Sequence, residues 1–275
     1  MVDALPLQFL STYSSIRSMT HSFSTWLLIV LMVSCQAPQE AKTAEALAPD
    51  HELPVRDVDH VAELSKAEPA PVGELEQRLI DVGLVDVQAV IPEVFVELKY
   101  SSEDNFFGKD VYGELENCYL QPVVVAMLSD ALAYLQRQHP NLTFKVFDGV
   151  RPLSVQQILW DELEKPEDIK PLYVADPKKG SLHNFGVAVD LTLADAQTGE
   201  ELDMGTHYDY FGYAAYPDRE KQMVQEGRIT QAQVANRDIL RAAMSHAGFT
   251  GIGSEWWHFN AFSRKVAGEK FEMVK

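Results

Sequence analysis

The segment SLHNFGVAVDLTLAD, Ser181 to Asp195, decides how this chain is read. Its side chains alternate from Val187 to Leu193: Val187, Val189, Leu191 and Leu193 share one face, and Ala188, Asp190 and Thr192 share the other. That period of two predicts a strand over Val187 to Leu193. Asp190 is then a carboxylate in the middle of a strongly apolar strand. Burying it unpaired costs several kcal/mol, so it calls for a cation or strong hydrogen-bond donors. His183 stands just before the strand, and the intervening Gly186 permits an unusual turn. Spacing alone leaves two partners open for Asp190. One is a metal ion shared with His183; the other is an arginine, with His183 an incidental loop residue.

Downstream, SEWWHF, Ser254 to Phe259, sets His258 among Trp256, Trp257 and Phe259. Neutral imidazole is the usual zinc ligand, and an apolar surround strengthens metal bonding. The competing reading is an aromatic core strand with a satisfied histidine. Gly253 to Phe259 is expected to be extended. Glu255 precedes His258 by three residues, so a bulge or turn must intervene for both to reach one site. His183, Asp190 and His258 are three candidate ligands, which leaves the fourth tetrahedral position of zinc to water. Glu255 is a carboxylate able to take that water's proton, which completes the parts for metal-assisted amide hydrolysis. Upstream, DGVRP, Asp148 to Pro152, offers Arg151 after a tight turn. Its guanidinium either holds a developing oxyanion or pairs with Asp148. The chain has no G-x-S-x-G elbow, P-loop or H-E-x-x-H. GIGSEW at Gly251 fails the dinucleotide fingerprint, and the isolated Cys118 reads as a buried structural thiol.

The remaining elements follow from pattern. Val94 to Tyr100 alternates as a half-buried strand. Pro122 opens a helix with Val124, Met127, Leu128, Ala131 and Leu135 on its apolar face, ending before Pro140. Phe144 to Phe147 is a short strand closed at Asp148-Gly149. Ser154 is expected to cap a helix running to about Glu164, and Asn236 a helix bearing Ile239, Leu240, Ala243 and Met244, stopped by Gly248. Strands and helices mix without regular βαβ alternation, which predicts an α+β fold with a mainly antiparallel sheet.

The chain has 275 residues, 46% of them apolar, enough for one full-sized domain and an appendage. Acids outnumber bases 41 to 23, for a net charge of −18, which argues against a nucleic-acid partner. Two cysteines exclude a disulfide-stapled scaffold or a Cys-rich zinc ribbon. Thr25 to Ser34, TWLLIVLMVS, is too short to span a bilayer, which needs about 20 residues, and reads as the apolar core of an export signal. It ends against Cys35, as in the lipobox of bacterial lipoproteins, so residues 1–35 read as a lipoprotein-type leader with Cys35 the lipidated residue. The alternative is an ordinary signal peptide or an uncleaved anchor with an incidental cysteine. Residues 36–73 carry five prolines, no aromatics and an acidic excess, the composition of a disordered tether. Residues 74–275 have the composition of the folded domain.

The pattern S-x-H-x-x-G-x-A-x-D at Ser181 to Asp190 followed by E-x-W-H at Glu255 to His258 resembles the signature of the zinc D-alanyl-D-alanine peptidases. LKYSSEDNFFG at Leu98, FDGVRP at Phe147, DMGTHYDYF at Asp203 and NRDILRAAMSHAGF at Asn236 extend the likeness to the dipeptidase branch, over about residues 78 to 270. The resemblance implies a small antiparallel sheet flanked by helices, with one zinc on the sheet bound by His183, Asp190 and His258. It implies Glu255 as general base and then acid, and Arg151 as the stabiliser of the tetrahedral intermediate. It implies Ser181 and Asp209 as holders of the dipeptide, Asp209 through its amine; Asp203 is the nearest rival for that role. Trp256, Trp257 and His207 are candidates for tuning the pocket. The implied reaction is hydrolysis of D-alanyl-D-alanine. The competing readings are a carboxypeptidase or endopeptidase on longer peptidoglycan stems, and a zinc-bearing binding module without turnover. The leader points to an exported, lipid-anchored enzyme of the cell envelope, in wall-dipeptide turnover or salvage, touching a membrane only through its anchor.

Overall fold

The computed structural model describes residues 72–275; the leader, Cys35 and nearly all of the tether lie outside them. Helix α1 (Glu74–Asp81) leads to strand β1 (Val85–Asp86), the one-turn helix α2 (Val87–Val90) and strand β2 (Phe95–Val96). Strand β3 (Tyr119–Leu120) pairs antiparallel with β1 in a two-stranded ribbon. Then come α3 (Pro122–Gln138), β4 (Leu142–Asp148), α4 (Leu153–Glu162), β5 (Ala188–Asp195), α5 (Glu220–Gln225) and α6 (Gln231–His246). The short strands β6 (Thr250–Gly251) and β7 (His258–Asn260) and helix α7 (Arg264–Lys270) complete the domain.

The main sheet runs β2-β4-β5-β7-β6. The β2–β4 pair is parallel and the other three pairings are antiparallel, so the fold is α+β with a mainly antiparallel sheet. Helices α3 and α6 pack on each other and against β4 and β5. The Val123–Val125 run disfavours a helix by roughly 0.5 kcal/mol per residue. Burying Val124, Val125 and Leu128 contributes roughly 1.5–3 kcal/mol each, so packing decides the conformation.

Strand β5 is covered on both faces, with Ala188 through Ala194 all buried. Its register places Asp190 opposite Asp148 of β4 and opposite His258 of β7. An irregularity between Val146 and Asp148 brings the β4 carboxylate into this row. Three polar residues thus cross three neighbouring strands on one line. A slip of one residue would turn Asp190 to the opposite face.

Several boundaries differ from the sequence reading. Only Phe95–Val96 of the expected Val94–Tyr100 strand pairs in the sheet, and Lys99–Ser101 curls into a 3₁₀ turn that buries Tyr100. Ser154 does not cap α4: the helix starts at Leu153 after Pro152, and the Leu153 N–H is satisfied by the Val274 carbonyl at 2.8 Å. Asn236 lies inside α6 rather than at its start. Thr230 caps that helix through a reciprocal box with Gln233, and Asn236 donates to the Asp203 carbonyl instead. The stretch before His258 is a hairpin loop, not an extended strand, because β6 and β7 pair on either side of it.

Candidate active site

His183 sits in a 3₁₀ turn, His183–Phe185, closed by Gly186 at φ 66°. A Cβ on that glycine would meet Leu84 at 3.0 Å, so its left-handed turn into β5 is reserved for glycine. His183 Nδ1 donates to the Gly149 carbonyl at 2.7 Å, and His258 Nε2 donates to Asn260 Oδ1 at 2.9 Å. With the outer nitrogens engaged, the neutral imidazoles would present His183 Nε2 and His258 Nδ1, 3.1 Å apart, as lone pairs to a metal. Asp190 Oδ1 lies 2.9 Å from His258 Nδ1 and 3.4 Å from His183 Nε2. Three acceptors, all on buried residues, therefore converge. Tetrahedral zinc with bonds of about 2.0–2.1 Å has ligand–ligand edges of about 3.3 Å, so the spacing and the donor set both fit that ion. The second oxygen of Asp190 accepts from Tyr208 at 3.0 Å. Burial opposes ionisation of Asp190, yet the two imidazoles outweigh it and hold its carboxyl far below the usual range. Burial likewise depresses His258, but the Asp190 carboxylate prevails and pushes it up to about 9. The cluster demands a positive charge, whether proton or metal.

Glu255 lies in the Ile252–Trp257 loop between β6 and β7, the turn that lets it and His258 serve one site. Its Oε2 is 3.9 Å from His258 Nδ1. The loop is fixed by Leu191 N–H to the Trp257 carbonyl at 3.1 Å and by the Trp256 indole to Thr206 at 2.8 Å. Burial pushes the Glu255 carboxyl above its ordinary value; His258 opposes this and Asp190 adds to it.

Arg151 pairs with Asp148 through Nε at 3.1 Å and Nη2 at 2.5 Å, and also borders the same cavity as the ligand cluster. Both roles open to it in the sequence are therefore compatible. Asp148 is fully buried and also accepts from Tyr112 at 2.6 Å and the Gly149 N–H at 3.0 Å. The Arg151 guanidinium lies 4.9 Å over the Tyr100 ring. Burial works against its charge, and Asp148 more than restores it. The cavity measures about 410 Å³, within the span of small-molecule sites.

Asp209 borders the same cavity as the ligands. It is the one non-glycine residue with positive φ, 55°, among those described, a conformation aspartate tolerates better than most residues. Its Oδ2 accepts from Tyr100 at 3.0 Å. Burial raises its carboxyl well above the ordinary aspartate value, and the Asp190 charge adds to this, against Arg151 and Tyr100. Its rival Asp203 lies outside the cavity and ties the Gly205 N–H and Gln233 at the start of α6. Buried Arg237 brackets the Asp209 loop by donating to the Met204 and Ala214 carbonyls, at 2.8 and 2.9 Å. Ser181 also borders the cavity, its hydroxyl accepting from the His183 N–H at 3.3 Å. Of the pocket-tuning candidates only Trp257 borders the cavity; His207 and Trp256 line a different hollow, together with Tyr208.

Residues 81–275 match the family model described as D-Ala-D-Ala dipeptidase, among the M15 peptidases. The chain belongs to this family. It is 35% identical over 176 residues to the D-alanyl-D-alanine dipeptidase of Escherichia coli K12, spanning 64% of this chain and 83% of that protein. It is 30% identical over 188 residues to the D-alanyl-D-alanine dipeptidase of Streptomyces coelicolor, spanning 63% of this chain and 88% of that protein. As a member of the D-Ala-D-Ala dipeptidase family the chain is a peptidase, and the matched segment holds every candidate site residue except Cys35.

The sequence reading passed over the groups that orient the site of this family member. Tyr100, Tyr208 and Asn260 present their polar atoms to Asp209, Asp190 and His258. Asn184 holds the Arg151 carbonyl at 2.6 Å. Their positions inside LKY, DMGTHYDY, HFN and SLHNF were the only signal, with Tyr208 beside Asp209 and Asn184 beside His183.

Proposed function

We propose that the protein is a zinc-dependent dipeptidase that hydrolyses D-alanyl-D-alanine to two D-alanines. The observation that carries the reading is Asp209, buried and bordering the same cavity as the three convergent ligands and Glu255. A zwitterionic dipeptide has its ammonium one residue from the scissile bond, and a buried carboxylate with one neutral donor is suited to receive it. Relatives named D-alanyl-D-alanine dipeptidase support the choice of substrate. His183 Nε2, Asp190 Oδ1 and His258 Nδ1 would hold the zinc, which when bound supplies Lewis-acid activation of water and carbonyl. Glu255 takes a proton from the attacking water on Oε2 and passes it to the leaving amine. Arg151, kept charged and oriented by Asp148, faces the oxygen that becomes anionic. The presence of Glu255 and Arg151 in the cavity weighs against a binding module without turnover.

The test compares D-alanine release from D-Ala-D-Ala and from its N-acetyl form by zinc-loaded protein. Wild type is expected to prefer the free dipeptide strongly, and Asp209→Asn to lose most of that preference through lost activity on the free dipeptide. Equal cleavage of the N-acetyl substrate would replace the dipeptidase with a carboxypeptidase on longer stems; no release would leave a binding module. On the leader and tether we further propose that the enzyme is exported and lipid-anchored through Cys35 in the cell envelope, where it serves turnover or salvage of wall dipeptide.

A further inference from the structure

We infer that Arg264 reads the free carboxylate at the C-terminal end of the dipeptide, a role that rests on the dipeptidase reading above. Arg264 opens α7, directly after the β7 strand that carries His258, and borders the same cavity. Its Nη1 and Nη2 donate to the Lys179 and Gly180 carbonyls, at 2.9 and 2.7 Å. Gly180 has φ 73°, and a Cβ there would meet the Met273 sulfur at 2.5 Å, so the orientation of this carbonyl pair is set by a residue that must be glycine. The next residue is Ser181, whose N–H is held by Asn184 Oδ1, and two residues later comes His183. The guanidinium is thereby tied to the segment that delivers a metal ligand.

Two of its five N–H groups are engaged, which leaves Nε–H and one hydrogen on each terminal nitrogen for a ligand. Both partners are neutral carbonyls, so no carboxylate pairs with the guanidinium, which is exposed at the edge of the cavity. The contrast with Arg151 is direct, since Asp148 already neutralises that side chain. Asp190, Asp209 and Glu255 make the cavity acidic, within a chain of net charge −18. A zwitterion entering it finds Asp209 for the ammonium, and with Arg151 already paired to Asp148 its carboxylate calls for a further donor. Arg264 supplies one, and its planar fork matches a carboxylate in two parallel hydrogen bonds. A purely structural strap would tie α7 to residues 179–180 and affect every ligand alike. A carboxylate reader instead changes one ratio.

The experiment measures that ratio by calorimetry in the zinc-loaded full chain carrying Glu255→Ala to suppress turnover. The ligands are D-Ala-D-Ala and its C-terminal amide. With Arg264 present, the free dipeptide is expected to bind roughly 10- to 100-fold tighter than the amide. Arg264→Gln should bring the ratio close to one with little change in amide affinity, and Arg264→Lys should keep an intermediate ratio, since it retains charge without the fork. The lysine variant keeps the test decisive if glutamine loosens the loop. An unchanged ratio in both variants, equal binding of the two ligands with Arg264 present, or binding of neither overturns the proposal. D-Alanine release by wild type is followed in parallel. Release with an unchanged ratio removes only the role of Arg264. A collapsing ratio without release removes only the dipeptidase.

Discussion

Glu255 and His258 lie three residues apart and close together in space, yet their substitutions should separate cleanly. Glu255→Ala is expected to keep the metal and lose roughly 10²- to 10⁴-fold in rate, because it removes a proton carrier and no ligand. His258→Ala should lose the metal along with activity. Metal content per chain and D-alanine release check both; loss of zinc from the glutamate variant would make Glu255 a ligand. The raised His258 value also fixes a pH dependence. In metal-free protein this imidazole carries a proton through neutral pH, and zinc must displace it. Zinc affinity should rise with pH up to about 9, approaching tenfold per unit, with a proton released on binding. Titrations in buffers of different ionisation enthalpy count that proton. The matching stability contribution is full below the unfolded value of 6.5 and is lost as pH rises through about 9. Metal-free protein should therefore weaken across that window while the zinc-loaded form does not, as melting curves from pH 6 to 10 would show.

At the junction of β4 and α4, three residues do several jobs. Asp148 ends the strand as an acceptor hub, the Gly149 carbonyl orients His183, and Arg151 reaches the cavity. A Cβ on Gly149 would lie 2.5 Å from the Cys118 sulfur and 2.9 Å from the Tyr119 carbonyl, and β3 backbone cannot yield easily. Gly149→Ala should thus push the turn outward. A cost of roughly 1–3 kcal/mol in stability is expected, with zinc affinity lowered roughly 10- to 100-fold through the disturbed His183 partner. Melting and zinc titration measure the two effects. Unchanged zinc affinity in a destabilised protein would show that the Gly149 carbonyl does not orient the ligand.

At the level of the whole chain, the proposed leader and tether set Cys35 ahead of the catalytic domain as its anchor. A single acyl chain holds a protein to a membrane only marginally, so stable anchoring needs the several chains that a lipobox cysteine receives. Metabolic labelling with a fatty-acid analogue is expected to mark wild type and not Cys35→Ala, and the variant should move to the soluble fraction. An unlabelled, freely soluble wild type would make Cys35 incidental.

Local pattern determined a good deal. The period of two in VAVDLTL gave the central strand, and the lone carboxylate within it announced a buried charge needing a partner. Gly186 marked the turn, and the His-Asp and Glu-x-x-His spacings named the residues that meet in the cavity. Spacing could also state that Glu255 needs a turn to join His258, because strand alternation forbids anything else. It could not choose between Arg151 as ion-pair partner and Arg151 as cavity cation, and the fold gives it both positions. Nor could it name Thr230 over Asn236 as the cap of α6 with any force, since both residue types serve and only the docked loop at Asp203 engages Asn236. The tertiary structure alone decided the register that aligns Asp148, Asp190 and His258. It alone brought the Tyr100 hydroxyl to Asp209, 109 residues away, and Arg264 to Gly180, 84 residues away. A sequence period reports which face a side chain takes on its own element. Which distant groups then meet follows from how the layers pack, where burial of apolar area sets the arrangement and each buried polar atom must find its partner within it.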